Sequence, residues 1–427
     1  MDPFQGLTQK VDMELRDHCY QKISIHPLAQ ENHDLVIDGS DCLAFPGLID
    51  MHTHLREPGF EYKEDIESAS KAALHGGFTT ITAFPNTKPT LDSVAHLEHL
   101  KKLIQAKAHV RVLPVASLTQ GLKGETLSDF TALKDAGAAA FTDDGRGVQN
   151  QALFLKALNE LKTLDVPVLL HEEDELLLNS GVMNEGERAK ALGLSGISAV
   201  VEEIMSSRDI LLAKHTGCKI HLCHVSTALA GDLVKLAKEH QIPVTAEASP
   251  HHLCFTEELI SSIEDTDMKM NPPLRLERDR KRLVELFRTG FIDAIATDHA
   301  PHSKEEKARP FTEAPFGITG LETALPLLYS ELVLKEKVPF YRIIEGLTRG
   351  PADILGLSYH PIKEGNPHNF IIFNTKKSTK LHEDFYYSKS RNFPLKNHTL
   401  SGKVEWVFYG TKAYHFEGGF EQSSILL

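Results

Sequence analysis

Eight times between residue 46 and about residue 335, a short β-branched or apolar run is followed by a helix-like segment, and this alternation restricts the fold more than any other feature. The runs are "GLIDMHTH" (47–54), "TTITAFP" (79–85), "VRVLPVA" (110–116), "AAAFTDD" (138–144), "PVLLHEE" (167–173), "KIHLCHVS" (219–226), "PVTAEASPHH" (243–252) and "DAIATDHAP" (293–301). Between them, stretches such as "SVAHLEHLKKLIQAKA" and "NQALFLKALNELKTLD" carry apolar residues at helical spacing. Repeated βα units build parallel sheets. Eight of them predict an α/β protein, a (β/α)8 TIM barrel, whose usual length of about 250 residues fits this span with insertions.

Such a barrel keeps its chemistry at the C-terminal ends of its strands. Those ends carry His52 and His54, then Asp143 and Asp144, His171, His224 and Asp298, from the first, fourth, fifth, sixth and eighth runs. Alternate side chains of a strand share a face, so His52 and His54 point together while Thr53 points away. Two converging neutral imidazoles suit a metal ion. Alone, the pair fits equally a set of buried histidines satisfied by hydrogen bonds. The recurrence of metal-capable side chains at one rim is what favours a metal site.

The outer segments, 1–45 and 357–427, flank a barrel at 46–356 and hold short strand-like runs such as "DLVIDG", "NFIIFN" and "KVEWVFYG". They predict a small β-sandwich domain built jointly by both ends. A net charge of −13 argues against a general nucleic-acid or anionic-membrane binder. No apolar stretch approaches the roughly 20 residues that span a bilayer, and the N-terminus lacks a basic region followed by an apolar one, so a cytoplasmic protein is expected. Five scattered cysteines read as reduced thiols, with core packing expected for Cys218 and Cys223.

The motifs "PGLIDMHTHLREPG", "FPNT" (84–87), "FTDDG" (141–145), "CHVST" (223–227), "SPHHL" (249–253), "MNPPLR" (270–275), "IATDHAPH" (295–302) and "GITGLET" (317–323) occur in one order. From about Phe45 to Leu355 the chain closely resembles the dihydroorotases of the amidohydrolase superfamily. The resemblance implies that His52, His54 and Asp298 hold one metal and His171 and His224 a second. Many superfamily members bridge the two with a carbamylated lysine, whereas this chain is similar to the branch with an aspartate there. The motif alignment favours Asp144 over Asp143. One or two zinc ions are implied, and mixed imidazole and carboxylate ligands suit zinc.

The implied activity is the reversible cyclisation of N-carbamoyl-L-aspartate to L-dihydroorotate in pyrimidine (UMP) biosynthesis. A metal-activated hydroxide attacks the ring carbonyl, and Asp298 serves as general base and then acid. The substrate's carboxylate needs a fixed cation. Arg56 emerges at the same rim and can grip it through two parallel hydrogen bonds, although its position alone fits an ion pair with Glu57 or Glu61. The resemblance assigns Asn86 and His302 to the same carboxylate and turns Asn271 toward the ring, where a simple turn asparagine is the alternative. His251 and His252 fall nearby without being ligands. The polar segment 301–317 suits a closing loop or a solvated one. A homodimer and association with aspartate transcarbamoylase are the macromolecular partners the resemblance admits. The competing functions are an allantoinase or dihydropyrimidinase, and an inactive barrel kept as a partner of the transferase.

Overall fold

The computed structural model describes residues 1–6, 8–29, 35–416 and 424–426. Its centre is a sheet of eight parallel strands hydrogen-bonded in chain order. They are β1 (Leu48–Asp50), β2 (Phe78–Ala83), β3 (Arg111–Ser117), β4 (Ala140–Thr142), β5 (Val168–Leu170), β6 (Ile220–Leu222), β7 (Val244–Ala248) and β8 (Ala294–Ile295). The sheet closes on itself where Thr53 bridges His299 in parallel and the His54 N–H donates to the His299 carbonyl at 2.9 Å. This is the (β/α)8 barrel that the alternation predicts, and each strand overlaps its expected run, with only Phe78 and Ser117 one residue outside it.

Strand periodicity sorts the core into two layers. On β3, Val112 and Ala116 pack outward against the helices, while Leu113 and Val115 enter the barrel interior. Met51, Phe84, Ala140, Leu169 and Ala296 fill the same interior. The helices begin where local chemistry directs. Ile66–Gly76 starts with a capping box between Asp65 and Ser68, and Val94–Lys107, Gln151–Lys162 and Ala228–Glu239 are capped by Ser93, Asn150 and Thr227. At the end of the first of these, Gly77 adopts φ 90, a conformation that favours glycine.

Both chain ends build a second sheet. Cys42–Pro46 pairs with Asn369–Lys380, followed by Thr399–Tyr409, Lys412–His415 and Ser424–Leu426, all antiparallel. A hairpin, Asp12–Arg16 and Cys19–Ser24, turns through Asp17 and His18, both at positive φ as a tight two-residue hairpin turn requires. It lays Tyr20 against Phe370, Ile372 and Phe408, giving the small β-sandwich.

Two expectations are corrected. The run 243–252 is not strand throughout: β7 stops at Ala248, and Pro250, lacking an N–H, opens the short helix Pro250–Cys254. The run "DLVIDG" forms no strand over residues 35–39, and its first residue, Asp34, lies outside the described residues. The N-terminal strands come instead from residues 12–24 and 42–46. Among the described residues, no helix is long and apolar enough to cross a membrane.

Candidate active site

Barrel periodicity explains how the rim cluster forms. Leu169 faces the interior, so His171, two residues on, does too. Ala140 faces inward on β4, so Asp144, four residues on, shares its side. Ala294 and Ala296 likewise lead to Asp298. After β6 the alternation breaks. Cys223 lies in the inner core, yet the next residue, His224, also turns into the cluster, on a left-handed backbone of φ 33. Arg56 (φ 63) and Asp298 (φ 48) share this uncommon conformation, which gathers at functional sites.

All six expected metal-capable residues meet in one buried cluster. Asp144 stands in its middle. Its Oδ1 lies 3.4 Å from His52 Nε2, 3.6 Å from His171 Nδ1 and 3.8 Å from His224 Nε2, while its Oδ2 lies 3.6 Å from His54 Nε2. Asp298 Oδ1 is 3.1 Å from His54 Nε2 and 3.6 Å from His52 Nε2. His171 Nδ1 and His224 Nε2 are 3.0 Å apart. Among the described residues, His52 Nε2 and Asp144 Oδ1, both buried, have no hydrogen-bond partner. Imidazole nitrogens and carboxylate oxygens aimed at one point, with central atoms unpaired, are the donor set a divalent cation takes. Asp143 is separate: it accepts from the Thr119 N–H at 2.9 Å and from the Thr119 hydroxyl.

Charge interactions hold the acids ionised against their burial. Desolvation opposes the charge on Asp144, but His52, His171 and His224 keep it well below the usual carboxylate range. Desolvation likewise opposes ionisation of Asp298, and the His54 hydrogen bond with the His52 and His224 charges overcomes it.

Two residues beneath the cluster set the imidazole tautomers. Glu247 projects inward from β7, between the outward Ala246 and Ala248, and is fully buried. It accepts from His52 Nδ1 at 2.8 Å and from His221 Nε2 at 3.1 Å. Burial raises its pKa, but these partners bring it down to about 2. With its Nδ1 donating to Glu247, His52 keeps Nε2 as the atom it would offer to a cation. Asn86 Oδ1 does the same for His54, accepting from its Nδ1 at 2.9 Å. Sequence reasoning missed Glu247, although an acid at an inward position of an apolar strand was the available signal. It also missed that Asn86 holds His54, and that Glu173 accepts from the Asn271 amide beside His171. Cys223, expected only to pack, lies close enough to His52 and Glu247 to join a metal-capable group.

A cavity of about 210 Å³ opens over the cluster, lined by His54, Asp144, His171, His224 and Asp298 together with Arg56, Asn86, Asn271, His302 and Phe316. Arg56 is not paired with Glu57 or Glu61. Glu57 holds Lys107, and Glu61 accepts from the Gly59 N–H. Arg56 Nε donates to the Pro301 carbonyl at 3.1 Å, and desolvation pushes its pKa down to about 10. His251 and His252 are buried beside the site without entering the cavity; His252 Nε2 meets the Pro272 carbonyl at 3.0 Å. A larger cleft of about 380 Å³ lies beside Cys254, but its Arg280 is already paired with Glu277 and Glu336.

Residues 42–229 match a family model described as dihydro-orotase-like. The chain is 44% identical over 408 residues to a dihydroorotase of Bacillus cytotoxicus, covering 96% of this chain and 95% of the relative. It is 46% identical over 408 residues to one of Bacillus cereus, with the same coverage. Among solved structures, an L-hydantoinase (dihydropyrimidinase) from Arthrobacter aurescens superposes with TM-score 0.83 at 22% identity, over 97% of this chain and 94% of that one. A dihydropyrimidinase from Brevibacillus agri gives TM-score 0.81 at 20% identity, over 94% and 90%. At such identity the solved structures speak for the fold.

Proposed function

The chain belongs to the dihydroorotase family of cyclic amidohydrolases, and from that premise we propose that its rim cluster interconverts N-carbamoyl-L-aspartate and L-dihydroorotate in pyrimidine synthesis. One observation carries the assignment to this site: Asp144 faces four imidazoles with two oxygens, as a ligand bridging two cations would. In this reading His52, His54 and Asp298 would hold one zinc ion and His171 and His224 a second where both are bound, with Asp144 as a ligand contributed from their midst. Zinc there supplies Lewis acidity, polarising the ring carbonyl and lowering the pKa of a water to roughly 7.

The chain's own groups do the rest. Asp298, held ionised, takes the proton from the attacking water and returns it to the departing ring nitrogen. Asn86 and Glu247 keep Nε2 as the atom that His54 and His52 would offer to a cation. Arg56, with Asn86 and His302 beside it, receives the substrate's carboxylate. Asn271, braced by Glu173, meets the ring. The division into 1–45, 46–356 and 357–427 belongs to the same reading, as does a cytoplasmic location.

The test is metal analysis combined with turnover of dihydroorotate, carbamoyl aspartate, allantoin and dihydrouracil. Zinc-dependent turnover of the first two is expected. Preference for allantoin or dihydrouracil would overturn the substrate assignment. A homodimer and a complex with aspartate transcarbamoylase are to be tested by light scattering of the pure protein and of the mixture.

A further inference from the structure

His302 stands between two charged groups that would set its ring in opposite ways. Burial, with the nearby cations of Arg56, Lys63 and Lys307, drives its pKa far down, so the ring is neutral and carries one N–H. Its Nε2 lies 2.8 Å from the Phe316 carbonyl, which can only accept, so the proton sits on Nε2. Nδ1 must then accept, and it faces the Lys63 ammonium at 3.3 Å, which can only donate. The same Nδ1 lies 3.4 Å from Glu306 Oε2, a group that would draw the proton to Nδ1. Glu306 is otherwise engaged. Its Oε1 is 3.0 Å from Lys63 Nζ and accepts from the Tyr62 hydroxyl at 3.1 Å, and its Oε2 accepts from the Ser303 N–H at 3.2 Å.

The arrangement has a consequence at the cavity wall. Arg56 Nη2 sits 3.3 Å from His302 Nε2. With the proton on Nε2 both atoms are donors, so they cannot bond to each other; the His302 N–H is taken by the Phe316 carbonyl, and Arg56 Nη2 is left for another acceptor. We propose that Lys63 is a positioning residue that fixes the tautomer of His302, so that His302 offers Arg56 no lone pair and the Arg56 Nη2 donor stays free for the substrate's carboxylate. The inference rests on the reading of Arg56 and His302 given above. Without Lys63, the freed Glu306 carboxylate takes an Nδ1 proton, Nε2 becomes an acceptor for Arg56, and the Nη2 donor is drawn away from the incoming carboxylate.

Steady-state hydrolysis of dihydroorotate by the zinc-loaded full chain tests this. Diverting an Arg56 donor from a charged group onto His302 should raise KM for Lys63→Met roughly ten- to a hundredfold, with a much smaller change in kcat. Adding Glu306→Gln to that variant supplies an amide donor to Nδ1 and should recover most of the loss. Lys63→Arg, which keeps a donor, serves where Lys63→Met fails to fold, and should stay near the wild-type KM. A Lys63→Met enzyme with unaltered KM, a double variant without recovery, or a Lys63→Arg enzyme as impaired as a donor-free one would overturn the proposal. Arg56→Met and His302→Ala separate its failure from that of the underlying reading. If neither raises KM, the carboxylate site itself is misplaced. If both do and Lys63→Met does not, only the role of Lys63 is lost.

Discussion

The two walls of the catalytic cavity are built on opposite electrostatic plans. On one wall, acids and imidazoles crowd around Asp144, with His52, His171 and His224 within 3.8 Å of a single oxygen. On the other, Arg56, Lys63 and Lys307 surround a neutral histidine, and Glu306 is the acid among them. The first wall satisfies its charges internally except at its centre, where a cation completes it. The second leaves the Arg56 guanidinium with a backbone carbonyl and no carboxylate, so an anion completes it. A substrate with a polarisable ring carbonyl at one end and a carboxylate at the other fits between them. The two groups share strands: the residues of the metal-capable cluster follow β1, β4, β5, β6 and β8, and the cationic group is formed by Arg56 and Lys63, farther along after β1, and by the segment after β8.

The sharpest break of the first wall is Asp298→Ala. Loss of the proton carrier should lower kcat by roughly 10²–10⁴-fold, with zinc content measured in parallel. A variant that keeps its zinc and most of its turnover would move the acid–base role elsewhere. Breaking the second wall with Arg56→Met should instead act on affinity, costing on the order of 2–5 kcal/mol in kcat/KM for dihydroorotate, dominated by KM. If kcat fell and KM did not, the two walls would not divide the work as described.

A smaller effect is expected beneath the first wall. Glu247→Gln should weaken zinc binding about 10–100-fold, read by competition with a chelating dye, because His52 loses the carboxylate that fixes its tautomer. The same variant alters acid stability. The Glu247 pKa of about 2 lies below its ordinary 4.5, so its stabilisation is fully present above pH 4.5 and is lost as pH falls toward 2. Metal-free wild-type protein should therefore lose stability more steeply across that window than Glu247→Gln, as followed by denaturant midpoints at stepped pH. Smallest of all, Gly317→Ala on the second wall should cost about 1–3 kcal/mol of stability through its φ of +147. Its added Cβ would meet the Ala300 carbonyl and His302, raising KM as well.

What could be read from the sequence follows from which interactions are local. Strand alternation and its eightfold repeat gave the barrel, and the last four residues of five runs named the rim: His52, His54, Asp144, His171, His224 and Asp298 all converge. The misses are contacts between strands or loops distant in the chain. Glu247 reaches His52 across 195 positions, and Lys63 reaches His302 across 239. No local periodicity reports such pairs. Residues 249–252 were misread because β-branched and apolar runs do not mark where a strand stops; Pro250 does, as a helix opener. The N-terminal strands were obscured because the hairpin at 12–24 is half-exposed and polar, while the more apolar "DLVIDG" is unpaired over residues 35–39.

The most direct test of the metal-centred wall is an anomalous difference map from crystals of zinc-loaded protein, collected on either side of the zinc absorption edge. A peak is expected among His52 Nε2, His54 Nε2, Asp298 and Asp144, with any second peak on the far side of Asp144 toward His171 and His224. Zinc found only on surface side chains, with this cluster bare, would contradict it.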